Sequence, residues 1–317
     1  MAQRPILITG AAGFIGSSLA DALLAAGTPV VGFDNFCDFY DPACKRRNIA
    51  DAMTQPNYTM VEADLRDRPA VLEAIATHKP QAIIHLAAMA GVRPSIENPD
   101  LYTQVNLNGT VNMLDAAVAN GVEKFLFASS SSVYGNNEKA PFAEADRVDH
   151  PISPYAATKK AGELISHSYH HLYKLPLTCL RFFTVFGPRQ RPDLAISKFL
   201  KLVSQGTPIP VFGDGTTSRD YTFVQDIVAG IRQSLEHCSD YHIYNLGGDH
   251  PVTLADLIAT VEKVVGKAAI IDRKPMQPGD VDRTWADLSK ARAELGYAPQ
   301  TSLEAGITKQ WQWIQQQ

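Results

Sequence analysis

The stretch Ile6-Leu7-Ile8-Thr9-Gly10-Ala11-Ala12-Gly13-Phe14-Ile15-Gly16 decides the fold. An apolar run of strand length meets a glycine turn, and an amphipathic helical pattern follows. Glycine allows tight turning and lets backbone N–H groups approach a pyrophosphate, whose charge is favoured at a helix N-terminus. The spacing is G-x-x-G-x-x-G rather than G-x-G-x-x-G. Glycines alone also fit an ordinary turn and helix cap; the strand before them and the helix after them favour a phosphate loop.

Working outward, β-branched runs at 5–9, 30–34, 58–62, 82–86, 124–129 and 177–181 predict strands. Between them, helices are predicted near 14–26, 69–77, 100–120 and 154–173. In the third of these, Leu101, Val105, Val111, Leu114 and Val118 recur near helical spacing. This alternation predicts an α/β fold with a Rossmann-type doubly wound parallel sheet covered on both faces. After Arg181, Gly and Pro cluster at 187–188, 206–210 and 213–215, which reads as loops with short strands. A helix is predicted to start near Val224, a strand at 242–246 to return to the first sheet, and helices to fill the tail from Thr253. The expected division is a cofactor domain over 1–180 and a smaller C-terminal α/β substrate domain over 181–317, with the chain crossing back near 224–250.

The second predicted strand ends at Asp34, whose carboxylate can accept both hydroxyls of an adenosine ribose and would repel a 2′-phosphate. NAD is therefore expected over NADP. Asp64, at the end of the third strand, is a candidate for the adenine end, with a simple strand-end turn as the plainer reading.

Composition bounds the rest. Of 317 residues, 45% are hydrophobic and 20% charged, which argues against disorder. Lys plus Arg number 29 and Asp plus Glu 33, giving a net charge of −4 and no electrostatic reason to expect a nucleic-acid partner. The apolar run at 82–92 carries His85 and is too short to span a bilayer, and the first residues lack a signal peptide's apolar core. Cys37, Cys44, Cys179 and Cys238 show no metal-ligand spacing, so no metal is expected and reduced thiols in the cytoplasm are the natural setting.

Chemistry enters at Ser129-Ser-Ser-Ser132-Val-Tyr-Gly135 and at Tyr155-Ala-Ala-Thr-Lys159. Residues i and i+4 share a helix face, so Lys159 lies beside Tyr155. A phenol with its ordinary pKa near 10 is a poor base at neutral pH. An ammonium on the same face, and an oxidised nicotinamide nearby, would favour the phenolate. Tyr155 could then take a proton from an alcohol as hydride leaves its carbon, with Ser130 bonded to the same oxygen. Alone, Y-x-x-x-K usually marks a half-buried Tyr beside a solvated Lys; downstream of a dinucleotide loop it reads as a catalytic pair. The cluster His167, His170 and His171 on the same helix reads as a solvated or subunit-contacting face.

Together, Gly10–Gly16, Asp34, Asp64, His85-Leu-Ala-Ala88, Ser129–Ser132 and Tyr155/Lys159 resemble the extended short-chain dehydrogenase/reductases over essentially the whole chain. Within them the chain is similar to the NAD-dependent nucleotide-sugar 4-epimerases, through Phe212-Gly-Asp-Gly-Thr-Thr-Ser-Arg219-Asp-Tyr-Thr-Phe-Val224 and Pro278-Gly-Asp280-Val. Asp34-Asn-Phe-Cys-Asp-Phe-Tyr-Asp-Pro42 and Arg181-Phe-Phe-Thr-Val-Phe-Gly-Pro-Arg-Gln-Arg-Pro-Asp193 look like UDP-glucuronate 4-epimerases. At Thr184, UDP-glucose 4-epimerases usually carry Asn. Cys37 stands where many relatives carry Asn, and Gln190 where some carry Gly.

The resemblance implies a cofactor site of Gly10, Gly13, Phe14, Ile15, Gly16, Asp34, Asn35, Asp64, Leu65, Ala87, Ala88, Asn106, Tyr155 and Lys159. It implies a UDP-sugar site of Ser130, Ser131, Ser132, Tyr155, Thr184, Arg191, Val211, Arg219 and Asp280, with Arg93 as a further candidate. Thr184 and Arg191 would lie near the sugar and Arg219 on the phosphates. A homodimer joined through the helices near 100–120 and 154–173 is also implied. A uronate needs a cation, and an Arg fork suits a carboxylate. Arg191 and Arg93 are the candidates; a surface guanidinium or a phosphate contact is the plainer reading of each.

The implied reaction is transient oxidation at C4, turnover of the 4-keto sugar on its bound UDP, and reduction on the opposite face. For a uronate the intermediate is a β-keto acid that loses CO2 if its carboxylate aligns with the ketone. UDP-glucuronate decarboxylases typically carry an acid where this chain has Ser131-Ser132, although Glu144 or Asp146 could approach from a loop. The alternatives are therefore a UDP-glucose or UDP-N-acetylglucosamine 4-epimerase, a decarboxylase, and a non-catalytic NAD-sensing regulator on the same fold.

Overall fold

The computed structural model describes residues 3–275 and 281–317. The first half runs β1 (Ile6–Thr9), α1 (Phe14–Ala25), β2 (Val30–Asp34), α2 (Pro42–Asn48), β3 (Tyr58–Glu62), α3 (Arg68–His78), β4 (Ala82–His85), α4 (Val92–Glu97), α5 (Pro99–Thr103), α6 (Gly109–Ala119), β5 (Lys124–Ser130), α7 (Pro154–Tyr173) and β6 (Leu177–Phe182). The rest runs β7 (Thr184–Phe186), α8 (Ala195–Gln205), β8 (Ile209–Phe212), β9 (Ser218–Phe223), α9 (Val224–Glu236), β10 (Tyr241–Leu246), β11 (Pro251–Thr253), α10 (Leu254–Val265), β12 (Ile271–Lys274), α11 (Ser289–Leu295) and α12 (Leu303–Ile314).

Seven strands form one parallel sheet in the order β10-β6-β5-β4-β1-β2-β3. Alternate strand residues enter opposite layers: Ile6 and Ile8 pack in one core, and Leu7 with Val31, Phe125 and Phe127 in the other. A strand buried on both faces must be apolar throughout, which is why the first strand reads as an unbroken run. The chain winds outward from β1 to β3, then returns to place β4 on the far side of β1. The ends of β1 and β4 therefore flank a topological switch point, where such sheets bind ligands. A separate core of Phe186, Ile196, Leu200, Val211, Leu257 and Ile307 lies under the smaller sheets β11-β9-β7 and β12-β8.

The predicted strand at 242–246 is β10, and it does join the first sheet beside β6. The predicted helix at 154–173 is α7, where Ser153 accepts from Ala156 N at 3.1 Å and Pro154 opens the first turn. The predicted single helix at 100–120 is instead broken. A π-helical turn, Gln104–Asn108, separates α5 from α6. It carries the buried Asn106, whose amide bonds Met89 N and O and Thr158 Oγ1. The stretch after Arg181, read as loops and short strands, also holds the amphipathic α8, which buries Ile196, Phe199, Leu200 and Val203. Among the described residues no helix is long and apolar enough to cross a membrane.

Helix α7 is fixed on the sheet by a buried ion pair. Arg181 of β6 donates to Glu163 Oε1 at 2.8 Å and Oε2 at 2.9 Å, and each residue is at most 1% exposed. Ser129 Oγ adds a 2.6 Å bond to the same carboxylate, and Arg181 also donates to Tyr134 Oη at 2.9 Å. Removing one member of such a pair strands a buried charge and costs about 3–5 kcal/mol. Arg181→Met is thus expected to lower the unfolding free energy by that amount in urea titration, and the double replacement Glu163→Met/Arg181→Met to lower it less. Equal loss in both would show that the charge pairing is not what holds α7.

Candidate active site

The glycine loop is built by contact. Gly10 has φ of +69°, and a Cβ at Gly16 would stand 2.1 Å from the Gly10 carbonyl oxygen, so α1 packs directly onto the turn. No side chain caps α1 at Gly13, which leaves its first-turn N–H groups to an anion. Phe14 and Ile15 open the helix, with Phe14 buried. At the turn's other side, a Cβ on Gly10 would touch Ala87 at 3.0 Å, and Ala87 N donates to Thr9 Oγ1. Ala88 follows it on the loop beyond β4.

Asp34 is 7% exposed and accepts from Ala12 N at 3.1 Å and Phe36 N at 2.9 Å. Lys45, 5% exposed, brings its ammonium to 3.9 Å from the same carboxylate and donates to Cys37 Sγ at 3.1 Å. Sequence reading missed this buried lysine, since nothing in Lys45-Arg46-Arg47 separates it from its exposed neighbours. Asp64 lies two residues beyond β3 rather than at its end. Arg66 forks onto it at 2.8 and 3.0 Å and Asn35 donates to it at 2.8 Å, which holds its carboxyl down at about 2. Leu65 is buried against Gly109 of α6, where a Cβ would sit 2.7 Å from it. These groups fit a dinucleotide: a side-chain-free helix start for its phosphates and a buried carboxylate for its ribose.

Ser130 ends β5 and opposes the rise of the Tyr155 pKa. Ser132 N donates to Ser130 Oγ at 3.1 Å, and the two hydroxyls lie 3.2 Å apart. Ser131 and Ser132 begin a short 3-10 turn there. Lys159 lies one turn along α7 from Tyr155. Burial pushes the phenol up; the Ser130 hydrogen bond and the Arg191 charge oppose that. Lys159 donates to Ala128 O at 2.7 Å, and burial pulls its ammonium down to about 8. Burial likewise drives His85 down to about 3, neutral between Thr9 Oγ1 at 2.8 Å and Thr110 Oγ1 at 3.0 Å. Tyr102, which sequence reading missed, meets Tyr155 edge-on at 6.2 Å.

Arg191 lies beyond β7. Its guanidinium forks onto Asp193 at 2.7 and 3.0 Å, lies 3.4 Å from Ala90 O, and covers the Phe39 ring at 4.8 Å. Thr184 opens β7, opposite Tyr221 of β9. Arg93 stacks on Phe212 at 4.7 Å, next to the buried Val211. Arg219 donates to Ser218 O and Asp282 O. Asp280 lies outside the described residues. The two loop acids are tied elsewhere: Glu144 accepts from Asn245 N at 2.7 Å, and Asp146 from Lys139, Asn137 and Ala143 N. On α7, His170 pairs with Asp240 at 2.9 Å and His167 packs edge-on against Tyr241.

A tyrosine, a serine and an arginine thus converge where the glycine loop and β4 end. Residues 7–310 match the family described as GDP-mannose 4,6 dehydratase. A UDP-glucuronate 4-epimerase of Thermodesulfobacterium geofontis is 42% identical over 308 residues, covering 97% of this chain and 95% of its own. The crystal structure of UDP-glucuronic acid 4-epimerase from Bacillus cereus, in complex with UDP-glucuronic acid and NAD, superposes with a TM-score of 0.93 at 36% identity, covering 98% of this chain and 99% of that one. The UDP-glucose 4-epimerase of Thermus thermophilus, in complex with NAD, gives 0.89 at 33% identity, with the same coverage of both chains. The chain belongs to the extended short-chain dehydrogenase/reductases, in the family of nucleotide-sugar epimerases and dehydratases.

Proposed function

We propose that this protein is an NAD-dependent UDP-glucuronate 4-epimerase, interconverting UDP-glucuronate and UDP-galacturonate. The observation that carries the reading is the largely buried Arg191 guanidinium, held by Asp193, Ala90 O and the Phe39 ring, whose charge opposes the rise of the Tyr155 pKa. A substrate bearing its carboxylate close to the reacting C4 needs positive charge there. The fork of Asp193 on Arg191 favours one other reading, a neutral UDP-hexose such as UDP-glucose or UDP-N-acetylglucosamine, because it neutralises that cation.

The cofactor's phosphates belong on the Gly10–Gly16 turn and its adenosine ribose on Asp34, with Asn35, Asp64, Leu65, Ala87, Ala88 and Asn106 around it. When bound there, the nicotinamide would supply hydride acceptance from C4 and hydride return to the opposite face. Tyr155 Oη takes the C4 hydroxyl proton and later gives it back, with Ser130 bonded to the same oxygen. Lys159 supplies a fixed ammonium at the end of β5 and orients the cofactor end of the site. Ser131, Ser132, Thr184 and Arg191 hold the uronate carboxylate out of line with the C4 ketone, which keeps CO2 on the sugar. Val211, Arg219, Asp280 and Arg93 anchor the nucleotide, so the sugar turns on a fixed pivot. The tying of Glu144 and Asp146 away from Ser131 and Ser132 supports epimerisation over decarboxylation.

Residues 1–180, with the returning segment 224–250, form the cofactor unit in this reading, and the remainder forms the substrate unit. In this reading the protein works in the cytoplasm as a homodimer joined through the helices near 100–120 and 154–173, the second of which exposes Leu164, Leu172 and Tyr173.

Purified protein given UDP-glucuronate is expected to form UDP-galacturonate without CO2 release, followed by proton NMR. A pentose product, or turnover of UDP-glucose alone, would overturn the substrate assignment. Tyr155→Phe is expected to lower kcat by about 10²–10⁴ while NAD stays bound, as read from cofactor absorbance after desalting. Lys159 separates activity from stability. Its folded pKa of about 8 lies below the free value of 10.5, so between those pH values the unfolded chain holds more protons and stability rises with pH. Lys159→Met should therefore raise the melting temperature at pH 7 by about 2 °C or more, with the gain shrinking from pH 8 to 10.5 and turnover lost throughout. A lower melting temperature at pH 7 would contradict this account of the buried ammonium.

A further inference from the structure

The loop between β2 and α2 joins the two ends of the site. It leaves Asp34, the ribose acid, and ends at Asp41, which caps α2 by accepting from Ala43 N at 2.9 Å. Phe36 stands at φ of +49°, an uncommon conformation for a residue with a large side chain. Three of the loop's rings each carry a cation. Arg46 covers Phe36 at 4.3 Å, Lys45 covers Tyr40 at 5.1 Å, and Arg191 covers Phe39 at 4.8 Å. The first two cations come from the helix that follows. The third comes from a loop about 150 residues away in sequence and is the one whose charge reaches Tyr155.

We propose that Phe39 is a positioning residue for the reaction, acting through Arg191; the inference rests on the uronate reading above. Asp193 takes two N–H groups of the guanidinium and Ala90 O a third. A guanidinium has five such donors in one plane. The two Asp193 bonds fix the Nε/Nη2 edge of that plane, and the long 3.4 Å bond from Nη1 to Ala90 O resists tilting about that edge only weakly. The Phe39 ring lies against the face and removes the tilt, so the opposite edge presents its N–H groups in a fixed direction for a carboxylate. Cation and ring attract one another most where water is scarce, and the Arg191 side chain is only 15% exposed. Tyr40 adds no competing charge, because burial holds its phenol above the ordinary range. The residue that aims the substrate's cation thus sits on the same short loop as the ribose acid.

The test uses the NAD-loaded enzyme and compares Phe39→Leu, Phe39→Tyr, Arg191→Gln and the double variant Phe39→Leu/Arg191→Gln on UDP-glucuronate. The readouts are kcat, KM and the pH dependence of kcat. Phe39→Leu is expected to lower kcat/KM about five- to twenty-fold and to move the rise of kcat to higher pH, since a tilted Arg191 opposes the high Tyr155 pKa less. Phe39→Tyr, which keeps the ring face, should recover most of the loss. The double variant should be no slower than Arg191→Gln alone, because Phe39 has no effect to exert without its cation. Should Phe39→Leu melt below the parent, Phe39→Met replaces it as the ring-free variant. Parental kcat/KM and pH profile in the ring-free variant, or losses that multiply in the double variant, would overturn the role of Phe39. Parental uronate turnover in Arg191→Gln would overturn the uronate reading itself, and this inference with it.

Discussion

The ion pair between Glu163 and Arg181 is the constraint on which the rest of the site depends. Tyr155, Lys159 and Glu163 succeed one another at intervals of four along α7 and so share one face. The last of them is clamped to β6 by Nε and Nη2 of Arg181 and to β5 by Ser129. Ser130 is the next residue of that strand, and Thr184 follows Arg181 by three. One buried carboxylate therefore sets the distance between the helix bearing Tyr155 and the strands leading to Ser130 and Thr184. Gly162 completes the fit: a Cβ there would stand 2.3 Å from the Phe127 ring, so α7 lies flat against β5. Such a pair gains little over an apolar isostere, yet it tolerates no partial removal. That intolerance makes it a good gauge of register.

The same exclusion of water governs the chemistry. Burial drives each of three groups towards its neutral form: Tyr155 upward, Lys159 and His85 downward. For Tyr155, Ser130 and the Arg191 charge oppose that rise. A neutral His85 between two threonines supports the turn beside Ala87 and takes no charge into the cofactor site.

Most of the sheet was legible because parallel strands buried on both faces must be apolar along their whole length. The glycine loop, Asp34 and Tyr155/Lys159 were legible because each occupies a local spacing with a mechanical reason. What escaped had non-local causes. The break at Gln104–Asn108 follows from Asn106 satisfying both backbone groups of Met89, a contact across 17 residues. The burial of Lys45 depends on the loop folding back over Asp34. The cation acting on Tyr155 comes from Arg191, whose place is set in space and not by periodicity. Helix α8 carried a readable amphipathic pattern at Ile196, Phe199, Leu200 and Val203, and the glycines and prolines on either side obscured it.

Gln190, which departs from the glycine of some relatives, has a partner far along the chain. Its buried amide accepts from Gln310 Nε2 at 2.8 Å, and Gln310 Oε1 takes the Gly187 N–H at 2.9 Å. Gln310 is fully buried on α12, and Ser197 closes the set of amides. The segment bearing Arg191 is thus braced by a helix made some 120 residues later. During synthesis, the glycine turn and its carboxylate emerge early, whereas the brace beneath the substrate's cation arrives only with the last helix. The order of synthesis thus separates the glycine turn from the brace under Arg191 by almost the whole chain.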